Sequence, residues 1–302
     1  SFRLPRRSMK TKLFLYMLVP VILILVLLAS CLSLFDRFKT PKDTLAERLD
    51  MQAMSFEQQL LSHRSSLITV GAYLSGDAAT LIEAYLADAG ISFDELQAHV
   101  LRGEPLPKKP VVITFDDGYL SNYTLAYPIL QKYGMKATIF SIGVSFGKDH
   151  YKDTDYAMTP HFGAAEAAEM AGSGLISIQS HTYDMHQWPP YEDGSAAVRE
   201  NILQLPGESE EAYVEALTAD FTRSRAQLEA AAGRPVDVLA YPAGQYSTLA
   251  QVTLQNLGVH VTLSTNPGIN TVVKGLPQTL TAMLRFGVTE GLSPEALLEM
   301  IQ

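Results

Sequence analysis

Two adjacent carboxylates and a pair of histidines are the parts of this 302-residue chain whose types and spacing could do chemistry. Thr114-Phe115-Asp116-Asp117-Gly118-Tyr119 carries both acids, followed by a glycine that permits a sharp turn. Consecutive side chains leaving a strand point different ways, so one acid can ligate a metal while the other faces a bound water. From the hexapeptide alone, a plain Asp-Gly turn reads equally well. His181-Thr182-Tyr183-Asp184-Met185-His186 supplies two imidazoles five residues apart. Five residues turn about 500° around a helix, roughly 140° off the same face, so the two imidazoles can share a metal only from an irregular loop. Trp188-Pro189-Pro190 just beyond suits such a loop. Asp, His and His form a two-histidine, one-carboxylate set that leaves metal positions open for water and substrate.

Short β-rich runs at Val111–Phe115, Ala137–Ser141, Leu175–Gln179, Val238–Tyr241 and Val259–Leu263 alternate with helical patterns near Ser121–Tyr133, Gly163–Ala171, Ala212–Ala231 and Ser247–Leu257. Gly134, Gly172, Gly233 and Gly258 stand where helix C-terminal caps are expected. This rhythm predicts an α/β fold of parallel βα units, either a barrel or an open doubly wound sheet. Asp116 and Asp117 follow the first of these strands, Ser180 and His181 the third, and Pro242-Ala243-Gly244 the fourth. In a parallel α/β fold those strand ends emerge on one face, so the reactive groups converge although they are far apart in the chain.

With these residues in view, the chain resembles the polysaccharide deacetylases, carbohydrate esterase family 4, also called NodB-homology domains. TFDDGY is similar to their first motif and SHTYDMH to their histidine motif, and the likeness covers roughly Leu106 to Val288. It implies a distorted (β/α) barrel of about seven strands and hydrolytic removal of N-acetyl groups from amino-sugar polymers. By position it makes Asp117, His181 and His186 ligands of a divalent metal, usually zinc, and Asp116 the general base. Ala240-Tyr241-Pro242-Ala243-Gly244 resembles the third motif. That makes the Ala243 amide the oxyanion donor and Tyr241 a groove wall, with Tyr119 and Gly244 as further substrate-binding residues. The five-residue histidine spacing resembles the branch acting on poly-β-1,6-N-acetylglucosamine. Ala240 replaces the arginine that usually opens the third motif. Arg285, in Leu284-Arg285-Phe286-Gly287-Val288, resembles a late arginine of that branch, and reads either as the residue orienting Asp116 or as a surface arginine. The usual Leu-x-His that provides a general acid is absent; His161 and His260 are the other histidines weighed for that task, and structural roles are expected for both. The branch's early strand with a Tyr-His pair is missing too, and Leu67–Tyr73 is the run available to fill its place.

Charge divides the chain further. Arg3, Arg6, Arg7, Lys10 and Lys12 precede an uncharged apolar run from Leu13 to Phe35, and the residues after Lys12 carry a net −14, 18 bases against 32 acids. As a helix the run would span roughly 34 Å, enough for a bilayer core of about 30 Å. Its basic flank predicts a cytoplasmic N-terminus and an extracytoplasmic body. Two readings of residues 1–35 stand. Leu28-Ala29-Ser30-Cys31 resembles a lipobox with Cys31 lipid-modified, while Leu32, Leu34 and Phe35 continue the apolar run as an uncleaved signal anchor would. Residues 36–105 are read as a polar tether and a helical region, with helical stretches around Phe56–Leu61, Ala78–Ala89 and Phe93–Leu101, and residues 106–302 as the deacetylase-like domain. The acidic body excludes nucleic acid as the main partner. The expected partners are an acetylated amino-sugar polymer, peptidoglycan or poly-N-acetylglucosamine, and the cytoplasmic membrane through the N-terminus. A non-catalytic metal-containing glycan-binding module and an amidase for small acetamides are the alternative functions.

Overall fold

The computed structural model describes residues 64–72, 89–192, 194, 197–288 and 294–301. The expected membrane leader with Cys31, the expected tether, and the helical stretches expected at Phe56–Leu61 and over all but the last residue of Ala78–Ala89 lie outside those residues. Among the described residues no helix is long and apolar enough to cross a membrane.

The strands are β1 (Arg64–Ala72), β2 (Val111–Phe115), β3 (Ala137–Ser141), β4 (Ile176–Ser180), β5 (Val238–Ala240), β6 (Val261–Leu263), β7 (Asn270–Val273) and β8 (Phe286–Val288). They pair in the order β6-β5-β4-β3-β2-β1-β7, with β8 also on β1. β1 divides its second edge: Arg64 to Leu67 pair antiparallel with β7, and Val70 to Ala72 pair parallel with β8. All other pairings are parallel. A single parallel bridge, Leu263 with Met283, reaches from the β6 end toward the segment that leads into β8.

Period-two patterning sorts the side chains between two faces. Val111, Ile113 and Phe115 of β2, Ile139 of β3, Ile176 and Ile178 of β4 and Leu239 of β5 share one core with the helical layer. That layer is α2 (Tyr127–Lys132), α3 (Ala164–Gly172), α4 (Glu210–Ala232) and α5 (Thr248–Asn256), preceded by α1 (Phe93–Arg102) and followed by α6 (Pro294–Ile301). The intervening residues, Val112, Phe140, Val238 and Ala240, join Val261 and Leu263 in a second core with Ile91, Phe93, Leu96 and Val100 on and before α1. Val272 of β7 belongs to this second core together with residues of β6, so the two ends of the pairing order bury side chains against the same cluster. The parallel sheet therefore curls into a half-barrel. Each fully buried Leu or Phe in these cores contributes roughly 1.5–3 kcal/mol.

Local signals agree with the ends of the elements. Ser92 and Glu95 form a reciprocal capping box on α1, and Ser209 and Ser247 accept from the backbone N–H groups of Ala212 and Ala250 to start α4 and α5. Gly233 closes α4 in the left-handed conformation as expected, whereas Gly172 is the last residue of α3 and the left-handed turn falls at Gly174. The helix expected over Ser121–Tyr133 is a π-helical turn, Asn122–Ala126, running into α2. β7 and β8 are not legible in the sequence, because runs of three or four strand residues carry almost no period, and α6 is a further element beyond the helical patterns read above. β1 lies within the stretch read as tether and helical region, yet it sits between β2 and both β7 and β8. Leu67 to Ala72 of the expected Leu67–Tyr73 run thus do occupy a place in the sheet, while Tyr73 lies outside the described residues, and the sheet draws on residues well before 106.

Candidate active site

Asp116 and Asp117 leave the C-terminal end of β2, and the alternation that buries Val112 and Thr114 on the enclosed face carries on to Asp116. Asp117 would follow Ile113 and Phe115 toward the helices, but its backbone turns left-handed at φ 69, which breaks the alternation. Gly118 continues the turn at φ 82, and a Cβ there would stand 2.6 Å from Ser141 Oγ, so a glycine is needed for shape as well as for conformation.

His181 shares the face of Gln179 one residue beyond β4, and His186 ends the loop that follows. Nε2 of His181 lies 3.5 Å and Nε2 of His186 3.8 Å from Oδ1 of Asp117. One ligand atom from each of the three residues falls within 4.8 Å of the others, with the imidazoles at 89° to one another. Each Nδ1 is engaged by a backbone carbonyl, that of Ala240 at 2.8 Å for His181 and of Glu200 at 3.1 Å for His186. Donation from Nδ1–H leaves the Nε2 lone pairs aimed at the shared point, the arrangement metal-binding histidines use. Burial, and then the neighbouring His181, hold His186 below its ordinary value, which keeps it neutral and able to ligate. A carboxylate and two imidazoles suit a divalent ion such as zinc.

Arg285 grips Asp116 with both prongs of its guanidinium, Nη1 to Oδ1 at 2.7 Å and Nη2 to Oδ2 at 2.9 Å. It is buried, 4% exposed, and its Nε donates to the Ser264 carbonyl at 2.8 Å. The surface reading of Arg285 is therefore wrong: the turn after β6 and the approach to β8 hold it inside. Burial alone would raise the Asp116 carboxyl; the Arg285 charge and then the histidines outweigh that and hold it below the usual carboxylate range.

The third-motif segment contributes backbone rather than rings. Tyr241 has the same parity as Leu239 and points into the helical-side core, where it is fully buried. It cannot form a groove wall. Tyr246, 39% exposed, stacks on it at 4.9 Å and presents the accessible ring instead. Ala243 is held left-handed at φ 53, a strained conformation for a residue with a Cβ. Gly244 is buried against Thr265, whose Oγ1 would stand 2.1 Å from an added Cβ. Its place is to let the segment pass close, with no surface for substrate. Tyr119 is half-buried against the His161 ring at 4.9 Å, and the two residues form an antiparallel bridge.

Of the two further histidines, His161 lies close enough to Asp117 to feel its charge, but burial keeps it below its ordinary value. His260 lies at the start of β6, the opposite end of the sheet, against Gln97 and Asp237. Asp220 on α4 was missed. Its carboxylate accepts from the backbone N–H of Tyr183 at 2.8 Å and of Asp184 at 2.7 Å, and so clamps the loop between the two histidines. Burial pushes its carboxyl up to about 6 in spite of these two bonds. The signal was present: Tyr213, Leu217, Phe221, Ser224 and Leu228 make the buried stripe of α4, and an acid at 220 sits on it.

A curled parallel sheet with an Asp-His-His cluster and a second, arginine-held aspartate at its strand C-termini defines the class. The chain belongs to the polysaccharide deacetylase family, whose model matches residues 103–262. It is 32% identical over 189 residues to YxkH of Bacillus subtilis (strain 168), which is named for the same family; the match covers 63% of this chain and 55% of that one. It is 35% identical over 116 residues to the poly-β-1,6-N-acetyl-D-glucosamine N-deacetylase of Escherichia coli (strain K12), covering 34% of this chain and 16% of that one. The chain thus spans about half of the first relative and a small part of the second. Among solved structures, a de-N-acetylase from Aggregatibacter actinomycetemcomitans superposes with a TM-score of 0.63 at 18% identity, covering 78% of this chain and 99% of that one, which shows the shared fold.

Proposed function

We propose that this chain removes N-acetyl groups by hydrolysis from an amino-sugar polymer of the cell surface, with poly-N-acetylglucosamine favoured over peptidoglycan by the five-residue histidine spacing. The observation that carries the proposal is the meeting of Asp117, His181 and His186 beside an ionised Asp116 that is held by Arg285. A divalent metal in the Asp-His-His cluster, zinc by the donor set, would polarise the acetamide carbonyl and lower the pKa of water. Asp116, kept ionised at neutral pH, takes the proton of the attacking water, and the Arg285 fork fixes the direction in which its free lone pairs point. The Ala243 amide, on its strained turn, is the donor for the oxyanion as the carbonyl becomes tetrahedral. The carbon–nitrogen bond then breaks, leaving acetate and a free amine. Buried and neutral, His161 is a poor acid, so the proton lifted by Asp116 is the one at hand for the amine.

The test is acetate release from β-1,6-linked N-acetylglucosamine oligomers and from peptidoglycan. Release that is abolished by a chelator and by Asp116→Asn supports the reading. A wild-type protein that releases nothing from any glycan, or one no faster than Asp116→Asn, overturns it. The body is placed outside the cytoplasmic membrane on the basic flank and apolar run of residues 1–35. Palmitate labelling that is lost in Cys31→Ser would identify a lipoprotein; a labelled variant, or an unlabelled wild type in the membrane, would identify the signal anchor.

A further inference from the structure

Beside the histidine loop the surface carries a group of aromatic rings that the chemistry above does not use. Trp188 and Tyr156 are 59% and 52% exposed, among the most exposed large apolar side chains of the described residues. Tyr156 lies on Tyr191 at 5.0 Å and 10° between planes, and Trp188 continues the group at 6.2 Å from Tyr191. Tyr151, itself buried, supports Tyr191 from one side at 5.5 Å.

The group is fastened rather than loose. Tyr151 Oη donates to Glu192 Oε1 at 2.5 Å and accepts from the Trp188 backbone N–H at 3.1 Å. Lys152 Nζ bridges Glu192 at 2.6 Å and Asp184 at 3.0 Å, and Asp184 belongs to the loop between His181 and His186. Trp188 follows His186 by two residues, so at most about 7 Å of chain separates platform and metal ligand.

Exposed aromatic faces cost free energy in water and mark contact sites when they cluster. Stacked and tilted rings that leave Trp188 and Tyr156 open to solvent, with a carboxylate and an ammonium at the rim, match a pyranose ring: its C–H face lies on an exposed aromatic plane and its hydroxyls reach the polar rim. A patch of three rings is too small for a stable protein partner, which needs about 800 Å² on each side. We propose that Trp188, Tyr156 and Tyr191 form a subsite for a sugar unit of the polymer neighbouring the one whose acetyl group is removed. The proposal rests on the deacetylase reading and adds to it where the rest of the chain of sugars lies.

Trp188 is the only tryptophan of the protein, so its emission reports on this platform alone. The zinc-loaded full chain is titrated with pentamers of β-1,6- and β-1,4-linked N-acetylglucosamine, following tryptophan emission and acetate release in the same samples. A saturable change in emission supports the subsite, with or without acetate release. Acetate release with unchanged emission overturns the subsite and leaves the enzyme reading standing. Neither signal with either pentamer overturns both. As a second measurement, Trp188→Ala is expected to raise KM for the pentamer about tenfold with kcat little changed, and Trp188→Phe to restore most of the loss. A fall in kcat at constant KM, or no change in either, would overturn the proposal.

Discussion

At the scale of single residues, the site depends on one ion pair, which the Leu284–Val288 segment offers as one of two readings and folding decides. Asp116 and Arg285 are 169 positions apart, and their bidentate contact both orients the proposed base and keeps its carboxyl low. For a carboxylate with a depressed folded-state value, the charged form is present above the ordinary range and is lost only as pH falls through that depressed value. The acid limb of kcat/KM should therefore lie below the ordinary carboxylate value of about 4 in the wild type. Arg285→Gln should move it upward and lower kcat about 100-fold, because the base is then both misdirected and buried without its counter-charge. A pH–rate profile with the same acid limb in wild type and variant would refute this role. His181→Ala or His186→Ala should lose stoichiometric zinc, measured by elemental analysis, with the far-ultraviolet circular dichroism unchanged. Asp116, Asp117, His181 and His186 are recognisable from their motifs; Tyr241 is no groove wall because strand parity, carried one residue past Ala240, turns its ring into the helical-side core.

At the scale of elements, the histidine loop is set by the helix beneath it. Asp220 projects from α4 to take the N–H groups of Tyr183 and Asp184, with Asp184 adding repulsion and Arg199 offsetting it. A carboxyl raised to about 6 in the folded protein stabilises fully only below its unfolded value of 3.8, and that stability is lost as pH rises through 6. Asp220→Asn removes this dependence. Relative to the wild type, the variant should gain up to roughly 3 kcal/mol in unfolding free energy between pH 4 and pH 7, as read from urea melts. It should also bind zinc about 10–100-fold more weakly, since an amide offers only one acceptor to two loop N–H groups. A variant with wild-type zinc affinity would show that the loop holds its shape without the clamp. The turn after β2 is equally demanding: Gly118→Ala forces a side chain into left-handed backbone and against Ser141. It should cost roughly 2 kcal/mol or more, seen as a lower denaturant midpoint.

At the scale of the whole molecule, β1 joins parts of the sheet that are distant in the chain. It pairs with β2 on one side and with β7 and β8 on the other, so removing it strips three strands of a partner. A chain beginning at Leu106 should therefore lose the cooperative thermal transition shown by one that begins ahead of Arg64. Equal melting curves would mean that β1 is dispensable.

The sequence by itself determined the parallel α/β character, five of the strands to within two residues, and the candidate set of Asp116, Asp117, His181 and His186, because these depend on period-two patterning and on residues close together in the chain. The tertiary structure decided what depends on distant contact. It placed β1 in the sheet, paired Arg285 with Asp116, sent Tyr241 into the core and set Asp220 under the histidine loop. The physical reason is the same in each case: a local window records propensity and spacing, whereas burial, charge pairing and the curl of the sheet are properties of segments that meet only after folding.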